Sequence, residues 1–230
     1  MNCLVDLGRR PYRETLALMR ETHARVASGA EADTWFVVEH DPVITLGRNA
    51  KRDNVHASAV ALEALGVDLV AVERGGDVTY HGPGQLVVYP VLRLARFREV
   101  VPLVSALERA VVAMLATLGI AARGRLEHRG VYVGDRAICA IGLAVKQMTS
   151  LHGLALNVST DLGYDRLITP CGTSEFGVTS IERELERSVA FEEARDLLLG
   201  TLQTEFACTF VSAAKVDPES LAAVAKTAVS

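Results

Sequence analysis

Apolar positions along this chain follow two periods. Leu16, Met19, His23 and Val26 fall at helical spacing, and Pro11 stands near the start. That spacing predicts an amphipathic helix ending at Gly29, since proline suits a helix start and glycine its end. Residues 35–38 form a compact β-prone run closed by His40, Asp41 and Pro42. A second apolar stretch at 43–46 leads into a polar loop at 47–54. A short helix over 58–65, stopping at Gly66, and a strand over 67–72 follow.

The segment Arg74-Gly-Gly-Asp-Val-Thr-Tyr-His-Gly-Pro-Gly-Gln85 breaks both rhythms, and an apolar run at 86–91 resumes as a strand. Val104, Leu107, Val111, Leu115 and Leu118 mark a long helix with an apolar stripe. Residues 131–133, 137–145 and 151–158 read as successive strands joined by tight turns. The last helix is predicted over 191–206, followed by an Ala-rich end expected to fray from about 212. There is no internal repeat or linker composition, so the reading is one catalytic domain over 1–230. Strand groups mixed with helices point to an α/β (α+β) fold, a mixed sheet flanked by helices.

Composition narrows the function. Half of the 230 residues are hydrophobic, enough for a sizeable core. The aliphatics are broken by charges, with no uninterrupted apolar run of membrane-spanning length and no signal-peptide order at the start. A cytoplasmic address without membrane attachment is the expectation. The net charge of −4 argues against general nucleic-acid binding. Local basic clusters do occur at Arg48, Lys51 and Arg52, at Arg93, Arg96 and Arg98, and at Arg123, Arg125 and Arg129. A docking face for an acidic partner is the sharper use of one of them. Cys3, Cys139, Cys171 and Cys208 form no C-x-x-C pair, so neither a zinc ribbon nor a redox dithiol is indicated, and no metal or organic cofactor is expected.

Three segments could carry chemistry. The Arg74–Gln85 stretch mixes glycines with Arg74, Thr79, Tyr80, His81 and Gln85, which favours a substrate-binding loop over a plain turn. It lacks the Gly-Lys-Ser/Thr ending of a phosphate loop. Cys171, in Thr169-Pro-Cys-Gly-Thr173, has turn-forming flanks that suit an exposed nucleophile. Cys3, Cys139 and Cys208 read as buried thiols, Cys139 and Cys208 in the core. In Ser150-Leu-His-Gly-Leu-Ala-Leu-Asn157, His152 could face a cleft with Asn157 as its hydrogen-bonding partner.

Together with Glu39-His-Asp-Pro-Val-Ile-Thr-Leu-Gly-Arg48 and Ala140-Ile-Gly142, these segments resemble the lipoyl(octanoyl) transferases over most of the chain. The resemblance implies the fold of the lipoate and biotin protein ligase catalytic domains. It implies transfer of an octanoyl group from the phosphopantetheine arm of acyl carrier protein to a cysteine, here Cys171. From there the group passes to a lysine of a lipoyl domain, in a 2-oxoacid dehydrogenase or in the H protein of glycine cleavage. The family's substrate-binding segments fall on Arg74, Gly75, Gly76, Asp77, Val78, Thr79, Tyr80 and His81, on Ala140, Ile141 and Gly142, and on Gly153, Leu154 and Ala155.

One position departs. The family has a lysine that lowers the cysteine pKa, in a Lys-x-x-x-x-Gly pattern, where this chain has Ala137. Arg136 and Lys146 should face away from that spot on a regular strand. An introduced Lys→Ala change fits the intact neighbouring segments. The other explanation is natural replacement, with His81 or another group in the lysine's role. An ATP-dependent ligase on the same fold and a non-catalytic carrier- or lipoyl-domain binder are the rival functions.

Overall fold

In a computed structural model, residues 2–125, 128–169 and 176–212 are described. The chain opens with strand β1 (Asn2–Arg10), a segment whose alternation of buried Val5 and Leu7 with exposed neighbours is short and easily overlooked. Helix α1 (Tyr12–Ser28) follows, with Pro11 at its N-cap and Gly29 at its C-cap. Gly29 has φ 81°, the left-handed conformation that lets its N–H reach back to the carbonyls of Arg25 and Val26. The expected stripe of Leu16, Met19, His23 and Val26 is the buried face.

Strands β2 (Thr34–His40), β3 (Val43–Leu46) and β4 (Asp68–Ala71) come next, with α2 (Ala59–Ala64) between the last two. Ser58 caps α2 by accepting from the Ala61 N–H at 3.2 Å. The glycine-rich segment is more ordered than a long turn. Val78–His81 is a strand, β5, and β6 (Gln85–Val91) begins at the segment's last residue. Helix α3 (Val100–Thr117) leads to β7 (Arg123–Gly124), β8 (Gly130–Val133), β9 (Arg136–Lys146) and β10 (Thr149–Asn157). Strand β11 (Gly177–Val178), helices α4 (Ile181–Leu185) and α5 (Phe191–Glu205), and strand β12 (Phe210–Ser212) close the described chain.

The larger sheet is mixed, in the order β12-β1-β2-β6-β10-β9-β8-β7, with β11 pairing parallel to β9. Strands β12, β1 and β2 run parallel, and β2 to β6 to β10 to β9 alternate antiparallel. A smaller sheet, β4-β3-β5, lies beside it. One core holds Trp35, Val88, Leu154 and Leu156 of the large sheet under α3 and α5. The other holds Phe36, Val87, Tyr89 and Leu151 under α1, joined by Val43 and Val70 of the small sheet.

By length and composition α3 is apolar enough to cross a bilayer, although Glu108 and Arg109 interrupt it. Here its Leu103, Leu107, Val111 and Met114 are buried in the first core. Of the cysteines expected to be buried, Cys139 is 2 % exposed, whereas Cys3 and Cys208 are partly exposed near the sheet edge and the end of α5. The correction for Cys208 is geometric: it lies past the C-terminus of α5, off the helical stripe. Cys171 and the end of the chain beyond 212 fall outside the described residues.

Candidate active site

The β9–β10 hairpin forms the floor of the site. Gly142 pairs with Gly153 and Ala140 with Ala155, so two of the sequence-predicted segments lie side by side through strand register alone. The third is laid across them: the Gly75 N–H donates to the Leu143 carbonyl at 2.8 Å. A Cβ on Gly142 would lie 3.0 Å from the Gly75 carbonyl oxygen, so this crossing needs a residue without one. The resulting cleft is about 360 Å³ and is mainly apolar. Arg74, Gly75, Gly76, Asp77, Thr79 and His81 line it, with Ala140, Ile141, Gly142, Gly153, Leu154 and Ala155. Val78 and Tyr80, the other two residues of the first segment, turn instead toward a smaller neighbouring cavity of about 50 Å³.

That small cavity contains Ala137, together with Asn157, Thr160, Asp161 and Asp165. Ala137 is fixed by pairing with Val178 and by its carbonyl accepting from the Thr179 N–H at 2.9 Å. Among the described residues, the charged side chains lining this cavity are acidic. Burial, with Asp161 adding repulsion, pushes the Asp165 carboxyl up to about 6. Arg136 and Lys146, expected to face away from this position, are engaged in ion pairs with other residues. Arg136 is paired with Glu184 at 2.9 Å, and Lys146 faces Glu73 at 3.6 Å beside α1.

His81 is held in one tautomer by a relay. Asn157 donates through Nδ2 to the Thr179 carbonyl at 3.0 Å, which leaves Oδ1 to accept from Gln85 Nε2 at 2.9 Å. Gln85 Nε2 also donates to the Tyr80 carbonyl, so its Oε1 must accept from His81 Nδ1, 2.7 Å away. The His81 Nε2 lone pair is then free for the Thr45 hydroxyl, at 3.4 Å, or for a ligand. Burial, reinforced by His40 and Arg74, lowers the His81 pKa to about 3, so the ring stays neutral. A neutral ring cannot replace the electrostatic effect of an ammonium on a thiol. Asn157 is therefore the partner of Gln85, not of His152 as its strand position suggested.

His152 meets Glu73 instead, its Nε2 3.5 Å from a carboxylate oxygen. The facing His152 ring and the hydrogen bonds from Arg20 hold the Glu73 carboxyl far below the usual carboxylate range, so it is ionised. Arg74 is buried, donating to the Thr45 carbonyl at 2.7 Å and to its hydroxyl at 2.8 Å. Glu73, Tyr12, Tyr89, Val100 and His128, which also line or adjoin the cleft, were not singled out from sequence, and Val104 and Arg129 were read only as helix stripe and basic cluster. The acidic side chain immediately before Arg74-Gly-Gly was the one local signal for any of them.

The chain matches the family model described as lipoyl protein ligase A/B catalytic domain over residues 11–203. It is 42% identical over 219 residues to an octanoyltransferase of Deinococcus radiodurans, covering 89% of this chain and 64% of that protein. An octanoyltransferase of Syntrophobacter fumaroxidans is 43% identical over 202 residues, covering 84% of this chain and 89% of the relative. The chain belongs to the octanoyltransferases of the lipoyl protein ligase A/B catalytic family.

Solved structures carry the fold further afield. Lipoate-protein ligase A bound with ATP superposes with a TM-score of 0.82 at 19% identity, covering 98% of this chain and 93% of that one. Biotin protein ligase from Aquifex aeolicus gives 0.52 at 12% identity, with 90% and 69% covered. Family membership makes the chain an acyltransferase by class, and the mixed sheet flanked by helices is the one the resemblance implied. The stretch matched to the family model includes every candidate residue named above.

Proposed function

We propose that this chain moves an octanoyl group from a carrier-protein thioester to a lysine of a lipoyl domain. The supporting observation is the convergence of the Arg74, Ala140–Gly142 and Gly153–Ala155 segments on one mainly apolar cleft, in a chain more than 40% identical to octanoyltransferases. In the first step the Cys171 thiolate attacks the carrier thioester carbonyl. A new C–S bond forms, the old one breaks, and the phosphopantetheine thiol leaves with a proton. The two thioesters are close in energy. In the second step the neutral lysine amine attacks the enzyme thioester, loses a proton and releases Cys171 as the thiol. The amide is more stable than the thioester, so no nucleotide is needed.

The apolar cleft would hold the acyl chain, and His81 would serve as a neutral acceptor. Arg96 and Arg98 have no ion pair among the described residues, and they precede Val100 and Val104 at the cleft wall. They suit steering of an acidic carrier. Partners would be acyl carrier protein and the lipoyl domains of 2-oxoacid dehydrogenases or glycine cleavage H protein, in the cytoplasm. Ala137 replaces the pKa-lowering lysine, so turnover would be slow at neutral pH.

The test is intact-protein mass spectrometry after mixing with octanoyl–acyl carrier protein, alongside a Cys171→Ser control. An octanoyl adduct lost in the control supports the reading. No adduct, even at a pH where the thiol ionises unaided, would sink it in favour of a binder or an ATP-dependent ligase.

A further inference from the structure

His152 occupies a place in the sheet that ordinary strand geometry does not provide. Residues 151 and 152 should point to opposite faces. Leu151 packs in the α1-side core with Tyr89, yet the His152 ring lies 6.3 Å from Tyr89 on the same side. The backbone of His152 has φ 61°, left-handed and costly for a residue with a Cβ. The cause lies across the ladder. Pro90 of β6 has no N–H to donate, Ser150 donates from its hydroxyl to the Pro90 carbonyl at 2.6 Å, and the His152 N–H turns to the Met19 sulfur at 3.3 Å.

The result is an imidazole 1 % exposed that lines the acyl cleft, with neither ring nitrogen hydrogen-bonded among the described residues. Its Nε2 lies in ion-pair range of the Glu73 carboxylate, outside hydrogen-bond geometry. Glu73 is also tethered by Arg20 at 2.8 Å and Lys146 at 3.6 Å. An ionised carboxylate facing Nε2 places the ring proton there and leaves Nδ1 as a lone-pair acceptor. Such an acceptor, buried and unmet, calls for a donor from whatever fills the cleft.

We propose that His152 Nδ1 forms a polar subsite in the acyl cleft, taking a medium-chain acyl group that carries a hydroxyl near its far end. The position fits. His152 pairs with Leu143, three residues along β9 from Ala140. Three strand residues span roughly 10 Å, comparable to an extended eight-carbon chain taken with its carbonyl toward Ala140, a residue the cleft shares with the Ala137 cavity. This inference rests on the octanoyl-transfer reading above and extends its substrate class.

The test compares kcat/KM for octanoyl, 7-hydroxyoctanoyl and 8-hydroxyoctanoyl carrier thioesters in the unaltered chain, His152→Leu and His152→Asn. The hydroxyacyl-to-octanoyl ratio should fall about tenfold in His152→Leu. It should be largely kept in His152→Asn, because asparagine tolerates the left-handed backbone and offers an acceptor oxygen. A second measurement uses the unaltered chain with nitrogen-15 imidazoles. The His152 Nδ1 resonance should move on adding 8-hydroxyoctanoate and stay in place with octanoate. An unchanged ratio in His152→Leu, or an Nδ1 resonance indifferent to the hydroxyl, overturns the subsite and assigns the acceptor to water. A chain that transfers no octanoyl group at all counts against the transfer reading, and the resonance measurement still decides the subsite.

Discussion

Placing a lysine at position 137, where the family resemblance expects one, is the most informative perturbation. In Ala137→Lys the backbone is fixed by Tyr132 of β8 on one side and by Val178 and the Thr179 N–H at 2.9 Å on the other, so the new side chain must enter the cavity of about 50 Å³. There Asp161 and Asp165 would hold the ammonium. An ammonium near a thiol lowers its pKa by about 1–3 units, and these carboxylates compete for it, so about 1 unit is the working figure. A free thiol titrates near 8.5, which leaves about 3% as thiolate at pH 7. One unit lower raises that to about 24%, roughly an eightfold gain. A lysine that also moves the proton adds a further factor of about 10² at the low end of general acid–base catalysis.

The assay is octanoyl transfer from carrier thioester to a lipoyl domain between pH 6 and 9. The unaltered chain should speed up about tenfold per pH unit until its thiol ionises. The variant should level off about one unit earlier, so its advantage shrinks as pH rises. A gain below about threefold at pH 7 with the same midpoint, in a folded variant, refutes the electrostatic role assigned to this position.

Gly153→Ala places a Cβ 2.0 Å from the Val88 carbonyl oxygen and 2.6 Å from Pro90 Cδ, so strand β6 must shift. A loss of about 3 kcal/mol in urea unfolding is expected, with cleft binding lost in parallel. Asp165 has its folded pKa raised to about 6 from the model-compound 3.8, chiefly by burial. The stability it contributes is fully present below pH 3.8 and lost as pH rises through 6. Asp165→Asn should therefore gain about 1–3 kcal/mol on the parent at pH 7.5 relative to pH 4, read from paired denaturant titrations. The double change Arg96→Ala and Arg98→Ala should lower kcat/KM about threefold to tenfold for the carrier-borne donor at low salt. Octanoyl-pantetheine should be used as before, and an equal loss with both donors would exclude docking as the cause.

Local signals made much of this architecture legible. Pro11 and Gly29 bound the first helix, Ser58 and Gly66 the second, and the β9–β10 hairpin follows directly from its apolar runs. Its turn was less predictable: Gln147 and Met148 take φ 48° and 54° without the glycine or asparagine such turns favour. Pro90 sits in β6 between β2 and β10, where the missing N–H would argue against a central strand. Of the three segments that line the cleft, the first was readable from its own composition and the other two through the family resemblance. The groups that set the electrostatics were not, because Glu73, Tyr12, Tyr89 and Thr45 reach the site through contacts between distant segments. The pairing of Asn157 with Gln85 rather than His152 depends on antiparallel register between β6 and β10, which side-chain alternation along one strand does not contain.

The three-residue strand β12 has a consequence for handling the protein. It covers the outer edge of β1, pairing Val211 with Cys3, and Phe210 packs edge-on against Trp35 at 5.4 Å. Lifting it away would leave the backbone of a nine-residue strand ready to recruit a second copy, with a thiol at the seam able to cross-link the pair. Storage under reducing conditions and fusion partners attached well clear of Ser212 follow from that. The single tryptophan, emptied of its Phe210 neighbour, would report the event by its fluorescence.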